Sequence, residues 1–124
     1  NLGNICAILK EHLGHHWVGF YLVDGNELVL GPFQGPLACT RISYGRGVCG
    51  DAWKTKQAIR VDNVHDYSGH IACSALTKSD IVLPIYKDNE VFAVLDIDST
   101  SLGAFEPEDE AGLKDISQFI SQLF

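Results

Sequence analysis

The sequence has no methionine, and none of its apolar runs approaches the roughly 20 residues of a membrane-spanning helix. Basic residues are scarce as well: 9 lysines and arginines stand against 16 aspartates and glutamates, for a formal net charge of −7. An acidic surface repels the phosphates of nucleic acids and of anionic lipids. We therefore expect neither nucleic acid nor a membrane as a partner of this chain.

Cysteine is limited to four positions, Cys6, Cys39, Cys49 and Cys73. This number is too small for a disulfide scaffold in a chain of 124 residues, and no pair has the C-x-x-C spacing of zinc ribbons and thioredoxin-type motifs. Unpaired cysteines in a reducing compartment are either buried fillers or reactive thiols. Composition alone leaves both interpretations open.

Hydrophobic residues make up 46% of the chain, which is enough for one domain with its own core over residues 1–124. Apolar spacing predicts a helix over 1–13, a short helix through 51–54 and a last helix from Pro107. Alternating and β-branched segments predict strands over 17–23, 27–33, 37–42, 58–62, 80–86 and 91–99. Short turns join several of these strands as in antiparallel hairpins, so the predicted fold class is α+β.

A long loop over residues 63–79 contains Cys73, and long loops in compact domains often carry function. Cys39 falls in the middle of the strand predicted over 37–42, and Cys49 falls in a glycine-punctuated turn before the short helix. Cys6 lies between apolar residues of the first helix, where a buried filler is the expected role. Taken singly, each cysteine is more often structural than catalytic. Three of them have basic residues nearby in sequence that would favour the thiolate: Arg41, Arg46 and His70.

Asp96 and Asp98 follow an apolar strand and point to the same face of it, together with Phe92 and Val94. The two acids mark either a polar pocket at the strand end or a strand that runs out into solvent. Asp80 opens the neighbouring strand as a turn residue or as a third member of the same pocket. Clustered carboxylates repel one another, which raises the pKa of at least one and suits it to general acid catalysis.

Two aromatic residues, Trp17 and Tyr21, lie four apart on the first strand and therefore share a face. They form part of the core or an aromatic wall for an apolar or sulfur-containing ligand. His65 and His70 flank the long loop and could join the cysteines in a metal site. No ligand spacing supports such a site, and we expect none.

Six segments in this order carry a resemblance to a known family: GPFQGPLAC (31–39), GRGVCG (45–50), DNVH (62–65), GHIAC (69–73), IVLPI (81–85) and VLDIDS (94–99). They closely resemble the free methionine-(R)-sulfoxide reductases, which are built on a GAF domain. The likeness covers nearly the whole chain, and ordinary GAF domains do not carry this set of three cysteines. Members of the family usually have a further N-terminal segment before the part that matches Asn1, so we expect such a segment to be missing here.

The resemblance implies roles for the three cysteines. Cys73 would be the nucleophile, Cys39 the resolving thiol that closes a disulfide with it, and Cys49 a second redox-active cysteine. It also implies a cytoplasmic enzyme that needs no metal or organic cofactor, is reduced by thioredoxin and forms a homodimer.

The resemblance also implies a substrate pocket for free methionine-(R)-sulfoxide. Asp80, Asp96 and Asp98 occupy the acidic positions and would bind the substrate, with Asp80 and Asp98 also in the catalytic set. Members of the family often have glutamate where this chain has Asp80. Trp17 and Tyr21 occupy the positions that form the wall.

Two other functions are compatible with the same residues. One is a GAF module that binds a small ligand, such as a nucleotide or an amino acid, without catalysis. The other is a thiol-based redox sensor or peroxide scavenger. The carboxylates argue against the second, since peroxide has no ammonium group for them to bind.

Overall fold

The computed structural model describes residues 2–70, 73 and 75–124. Asn1 of the predicted first helix and Ile71, Ala72 and Ser74 of the predicted loop lie outside the described residues. The helices are α1 (Leu2–Leu13), α2 (Gly47–Thr55) and α3 (Pro107–Ser121). Among the described residues, no helix combines the length and the apolar character needed to cross a membrane.

Helix α1 ends where its sequence signal predicts, and helix α3 begins where its own signal predicts. Gly14 follows α1 with a φ of 67°, and its N–H donates to the carbonyl of Lys10 over 3.0 Å. Pro107 opens α3, and the carboxylate of Asp109 accepts from the N–H of Glu106 over 2.8 Å in a capping box. Hydrogen bonds between residues close in sequence therefore set the end of α1 and the start of α3.

Within residues 2–70, 73 and 75–124, six strands form one sheet in the order β3-β2-β1-β6-β5-β4, and the five pairings are all antiparallel. Their bounds are β1 (Trp17–Asp24), β2 (Glu27–Gln34), β3 (Arg41–Ser43), β4 (Ile59–Val61), β5 (Ser79–Lys87) and β6 (Glu90–Ser99). Tight turns close the β1–β2 and β5–β6 hairpins: Gly25 has a φ of 63°, and Asp88 and Asn89 have φ values of 54° and 67°. The predicted α+β class with a central antiparallel sheet is confirmed.

The two faces of the sheet carry separate cores. On the α1/α3 face, buried residues of β1, β5 and β6 such as Phe20, Leu83 and Leu95 pack against α1 and α3. On the α2 face, Tyr21, Val94 and neighbouring apolar residues pack under α2. The alternation of side chains along each strand produces this division, and it sends the candidate acids to the α2 face.

Two predicted elements are wrong. The strand predicted over 37–42 is reduced to β3, and Cys39 lies in an irregular segment over residues 35–40. This segment begins at Gly35, whose φ of 139° breaks the extended chain, and continues with Pro36, which has no N–H to donate to a ladder. The short helix begins at Gly47 rather than at residue 51, so Cys49 is helical and not in a turn.

Phe92 does not share a face with Asp96 and Asp98 as predicted. The pairing passes from Ile85–Ala93 to Tyr86–Val91, so Phe92 is the extra residue of a β-bulge. Its side chain packs with the α1/α3 face instead, because the bulge shifts the alternation by one residue.

Candidate active site

A pocket opens on the α2 face, where β1, β5, β6 and the start of α2 meet. Its floor carries Asp80, Asp96 and Asp98, and its wall carries Trp17 and Tyr21. The first turn of α2 closes another side with Gly47, Val48 and Cys49, and Cys73 lies among the lining residues of the loop. The pocket therefore combines sulfur, carboxyl and aromatic groups in one place.

The sheet register brings the three acids together. Asp98 on β6 is paired with Asp80 on β5 and with Trp17 on β1, so these side chains form one row across three strands. Asp96 lies one step further along the same face, opposite Gly19. One carboxyl oxygen from each aspartate lies within 4.8 Å of the others, an arrangement that can hold a cation such as an ammonium group or a metal ion.

Burial and mutual repulsion dominate the electrostatics of the three aspartates. The pKa of Asp80 is raised well above its ordinary value by burial and by the charges of Asp96 and Asp98. Burial and the charge of Asp96 likewise raise the pKa of Asp98 well above its ordinary range. Burial also raises the pKa of Asp96, but hydrogen bonds from Asp80, Asp98 and Cys49 oppose the rise. Asp96 is therefore the member that ionises most readily, while Asp80 and Asp98 hold their protons to a higher pH than an ordinary aspartate does.

Two of these carboxyl groups present oxygens that are available to a ligand. Oδ1 of Asp80 and Oδ1 of Asp96 are buried and have no hydrogen-bond partner within the part of the chain that the structure describes. Buried polar atoms are normally paired, because leaving one unpaired costs about 1–3 kcal/mol. The floor of the pocket is thus arranged for a polar or cationic group.

A disulfide joins Cys39 to Cys73, with the two Cα atoms 5.3 Å apart. The wall residues hold the segment that carries Cys39: Trp17 donates from Nε1 to the carbonyl of Pro36 over 3.1 Å, and Tyr21 donates from its hydroxyl to the carbonyl of Cys39 over 2.9 Å. The disulfide therefore links the wall side of the pocket to the long loop. Both cysteines are partly exposed, so a reductant can reach the bond.

The remaining thiols, Cys6 and Cys49, are both buried and free. Cys6 packs in the α1/α3 core, and its Sγ lies 3.3 Å from the carbonyl oxygen of Pro32, in keeping with the predicted filler role. Cys49 lies in the first turn of α2 with its thiol hydrogen-bonded to Asp96. Burial, reinforced by the charges of the three aspartates, raises the pKa of Cys49 well above its ordinary value.

The chain matches the GAF domain family over residues 2–124. It is 51% identical over 123 residues to the free methionine-R-sulfoxide reductase of Escherichia coli, covering 98% of this chain and 73% of that one. The chain belongs to the GAF-domain family of free methionine-(R)-sulfoxide reductases.

Solved structures agree with this assignment. The free methionine-R-sulfoxide reductase of Neisseria meningitidis, in complex with its substrate, is 49% identical and superposes with a TM-score of 0.96, covering 98% of this chain and 74% of that one. A type II free methionine-R-sulfoxide reductase of Thermoplasma acidophilum is 32% identical, with a TM-score of 0.93 over 98% of this chain and 87% of that one. The family resemblance of the sequence is confirmed.

The structure gathers the predicted site residues of this GAF domain. Those that line the pocket are Trp17, Tyr21, Cys49, Cys73, Asp80, Asp96 and Asp98. Cys39 reaches the site through its disulfide with Cys73, the pairing that the resemblance implied. Of the two histidines considered for a metal site, His70 lines the pocket and His65 is exposed on the 3₁₀ turn Val64–Asp66. The individual roles of these residues stay predictions.

The sequence indicated Arg46 only as a cation near a cysteine and not as a lining residue of the pocket, and it did not indicate Thr77. Arg46 lies at the N-cap of α2 and lines the pocket, as does the buried Thr77. Among the described residues, no side chain caps the start of α2, so its first N–H groups remain available. The glycines around Arg46 indicated a tight backbone there, but nothing in the neighbourhood of Thr77 distinguished it.

Proposed function

We propose that this GAF domain reduces free methionine-(R)-sulfoxide to methionine, with Cys73 as the attacking thiol. The observation that carries the proposal is the position of the Cys39–Cys73 disulfide beside a pocket floored by three carboxyl groups, two of them on buried residues and the third on a half-buried one. A sulfoxide reductase needs a thiol that can be oxidised, a partner thiol and a proton donor, and this pocket holds all three kinds of group. The names of the relatives from Escherichia coli and Neisseria meningitidis support the same reaction.

The proton donors in the proposed reaction are Asp80 and Asp98. A sulfoxide sulfur becomes electrophilic when its oxygen is protonated or hydrogen-bonded, and a carboxyl group that keeps its proton near neutral pH can supply that proton. Burial and the neighbouring carboxyl groups raise the pKa values of Asp80 and Asp98, which suits both to this role. Cys73, as thiolate, attacks the polarised sulfoxide.

The pocket also suits the zwitterionic end of a free amino acid. Asp96, whose ionised form accepts hydrogen bonds from its neighbours, is suited to bind the substrate ammonium group together with Asp80 and Asp98. The N–H groups of the first turn of α2 are suited to the substrate carboxylate. Trp17 and Tyr21, stacked with ring centroids 6.0 Å apart, provide an apolar surface for the S-methyl end of the substrate side chain.

The proposed cycle balances in three steps. The sulfoxide oxygen passes to Cys73, which releases methionine and leaves a sulfenic acid on Cys73. The thiol of Cys39 then attacks this sulfenic acid, so the Cys39–Cys73 disulfide forms and water leaves. A dithiol, for which thioredoxin is the proposed source, restores both thiols by exchange and becomes a disulfide itself. The partial exposure of both cysteines supports access for such a reductant.

The setting of the reaction is part of the same proposal. A catalytic disulfide that must be reopened after each turnover requires a reducing compartment, for which the cytoplasm is the proposed location. A homodimer is the proposed assembly, on the family resemblance alone.

The test is turnover of each methionine sulfoxide epimer as the free amino acid, with dithiothreitol as reductant. We expect methionine from the R epimer, and loss of this activity in Cys73→Ser. Cys6→Ser is the matched control. Cys6 lies in the core on the α1/α3 face, on the side of the sheet opposite the pocket, so replacing its thiol should leave turnover unchanged. Equal activity of Cys73→Ser and the unchanged protein would contradict the proposal. Reduction of hydrogen peroxide in place of the sulfoxide would instead favour a peroxide scavenger.

A further inference from the structure

Backbone hydrogen bonds join the two ends of the loop that carries Cys73 and also form within its first half. At its base the N–H of Val64 donates to the carbonyl of Lys78 over 2.9 Å. Within the loop the N–H of Tyr67 donates to Val64 over 3.1 Å, and the N–H of His70 donates to Tyr67 over 3.2 Å. Tyr67 therefore takes part in both of these hydrogen bonds, once as donor and once as acceptor.

Among the contacts that the described residues make between this loop and the rest of the domain, two lie in the part of the loop that contains Tyr67 and Cys73. One is the disulfide between Cys73 and Cys39. The other is a hydrogen bond of 2.5 Å from the hydroxyl of Tyr67 to Oδ2 of Asp51 on α2, with the ring of Tyr67 packed against the α2-face core. A hydrogen bond to a carboxylate is stronger than one between neutral groups, and burial together with Asp51 raises the pKa of Tyr67 so that the hydroxyl keeps its proton.

The two contacts differ in their dependence on redox state. Reduction opens the disulfide, whereas the Tyr67–Asp51 hydrogen bond contains no sulfur and is not itself broken by a reductant. We propose that this hydrogen bond holds the Cys73 loop on α2 in the reduced protein, so that Tyr67 is a positioning residue for Cys73. The assignment of a catalytic role to Cys73 rests on the proposed function, but the positioning itself does not.

The consequence is a coupling between Tyr67 and the disulfide. If the reduced loop is already held near its oxidised position, Cys73 has a high effective concentration at Cys39, and the disulfide is harder to reduce. Removing the hydroxyl frees the reduced loop and lowers that effective concentration. Tyr67→Phe makes this change while keeping the aromatic ring that packs against the core.

The decisive experiment measures the thiol–disulfide equilibrium of Cys39–Cys73 against glutathione. For Tyr67→Phe we expect the equilibrium constant for disulfide formation to fall about two- to tenfold, the range of a single hydrogen bond. Tyr86→Phe is the matched control, because the Tyr86 hydroxyl also donates to the α2 region, to the carbonyl of Lys56 over 2.6 Å, but Tyr86 lies on β5 outside the loop. We expect Tyr86→Phe to leave the equilibrium unchanged.

A double-mutant cycle with Asp51→Ala supplies the second arm. If the two side chains act as one contact, Asp51→Ala and Tyr67→Phe each lower the equilibrium constant and the double variant falls no further. Hydrogen exchange at the His70 amide should accelerate in reduced Tyr67→Phe and change little in the oxidised variant. Equal behaviour of Tyr67→Phe and Tyr86→Phe, or fully additive effects in the cycle, would overturn the proposal.

Turnover gives a third readout that separates this proposal from the proposed function. We expect Tyr67→Phe to lower kcat with little change in KM. The acidic and aromatic residues suited to bind substrate lie on β1, β5 and β6, whereas Tyr67 lies in the loop. A protein without sulfoxide turnover would contradict the proposed function. The glutathione equilibrium and the exchange rates would still decide the role of Tyr67.

Discussion

The hydroxyl of Tyr21 donates a hydrogen bond of 2.9 Å to the carbonyl oxygen of Cys39. Tyr21 is 2% exposed and lies on β1, in the middle of the sheet, whereas Cys39 lies in an irregular segment. A rigid strand therefore positions the proposed resolving cysteine through the aromatic residue that also forms the pocket wall. This contact links the substrate surface to the disulfide.

The first prediction concerns this hydrogen bond. Tyr21→Phe removes the hydroxyl and keeps the ring, so we expect the reduced protein to lose about 1 kcal/mol in its free energy of unfolding. Closure of the Cys39–Cys73 disulfide should also become slower. Denaturant unfolding and the rate of thiol loss after oxidation check both effects. Unchanged closure would show that the backbone of residues 35–40 needs no support from Tyr21.

The second prediction concerns Gly19, which lies under the ring of Trp17. A Cβ at Gly19 would overlap the Trp17 ring and approach the Cβ of Phe33 to 2.5 Å. We expect Gly19→Ala to displace Trp17, destabilise the protein by about 1–3 kcal/mol and raise KM for the sulfoxide. Tryptophan fluorescence and steady-state kinetics report these changes.

The control for this substitution is Gly112→Ala. Gly112 lies in α3, where an added Cβ meets nothing within 4 Å. There the same change should stabilise the protein by up to about 1 kcal/mol through helix propensity. An unaltered KM and fluorescence in Gly19→Ala would remove Trp17 from the proposed substrate wall.

The third prediction concerns thiol reactivity. Burial raises the pKa of Cys6 to about 11, and burial and the neighbouring aspartates raise the pKa of Cys49 well above its ordinary value. Since alkylation requires a thiolate, iodoacetamide should modify neither cysteine in the native oxidised protein. After reduction it should modify Cys39 and Cys73, as mass spectrometry of the peptides would show. Rapid labelling of Cys49 would contradict its protonated, hydrogen-bonded state.

The fourth prediction concerns Asp80 and pH. Its folded pKa lies well above the unfolded value of about 3.9, so the folded protein binds this proton more tightly than the unfolded chain does. That stabilisation is complete below the unfolded pKa and is lost as the pH rises through the folded pKa. Asp80→Asn keeps a neutral group at every pH, so the stability of the variant relative to the unchanged protein should increase as the pH rises above the unfolded pKa of about 3.9 towards the folded pKa.

The same variant should lose turnover, because asparagine donates hydrogen bonds but cannot transfer a proton. Thermal unfolding across the pH range and kcat measurements test the two effects together. Asp115→Asn, on the exposed side of α3, is the control and should change neither quantity. A variant that is destabilised at neutral pH would contradict the repulsion between the aspartates.

Much of the fold follows from local sequence signals. Asp-Gly at residues 24–25 and Asp-Asn at residues 88–89 specify tight turns, and alternation along β1 and β6 separates the two cores. The three acids share a face because they lie two apart on β6 or opposite each other between β5 and β6. Alternation alone accounts for Asp96 and Asp98, while the cross-strand position of Asp80 needed the register.

The errors arose where tertiary contacts override local preference. Residues 37–42 have an apolar, strand-like pattern, but the disulfide and the hydrogen bonds from Trp17 and Tyr21 hold most of the segment away from the sheet. The bulge at Phe92 depends on the register between β5 and β6, which no local signal encodes. The contact between Tyr67 and Asp51 spans 16 positions and likewise has no signature in the sequence.

The most direct test of the account is a single turnover without any reductant. Fully reduced protein mixed with free methionine-(R)-sulfoxide should form about one methionine per chain, with the Cys39–Cys73 disulfide appearing in equal amount. Cys39→Ser should form the same methionine but stop at a Cys73 sulfenic acid that dimedone traps. Methionine formation without oxidation of Cys73, or no methionine at all from the reduced protein, would contradict the account.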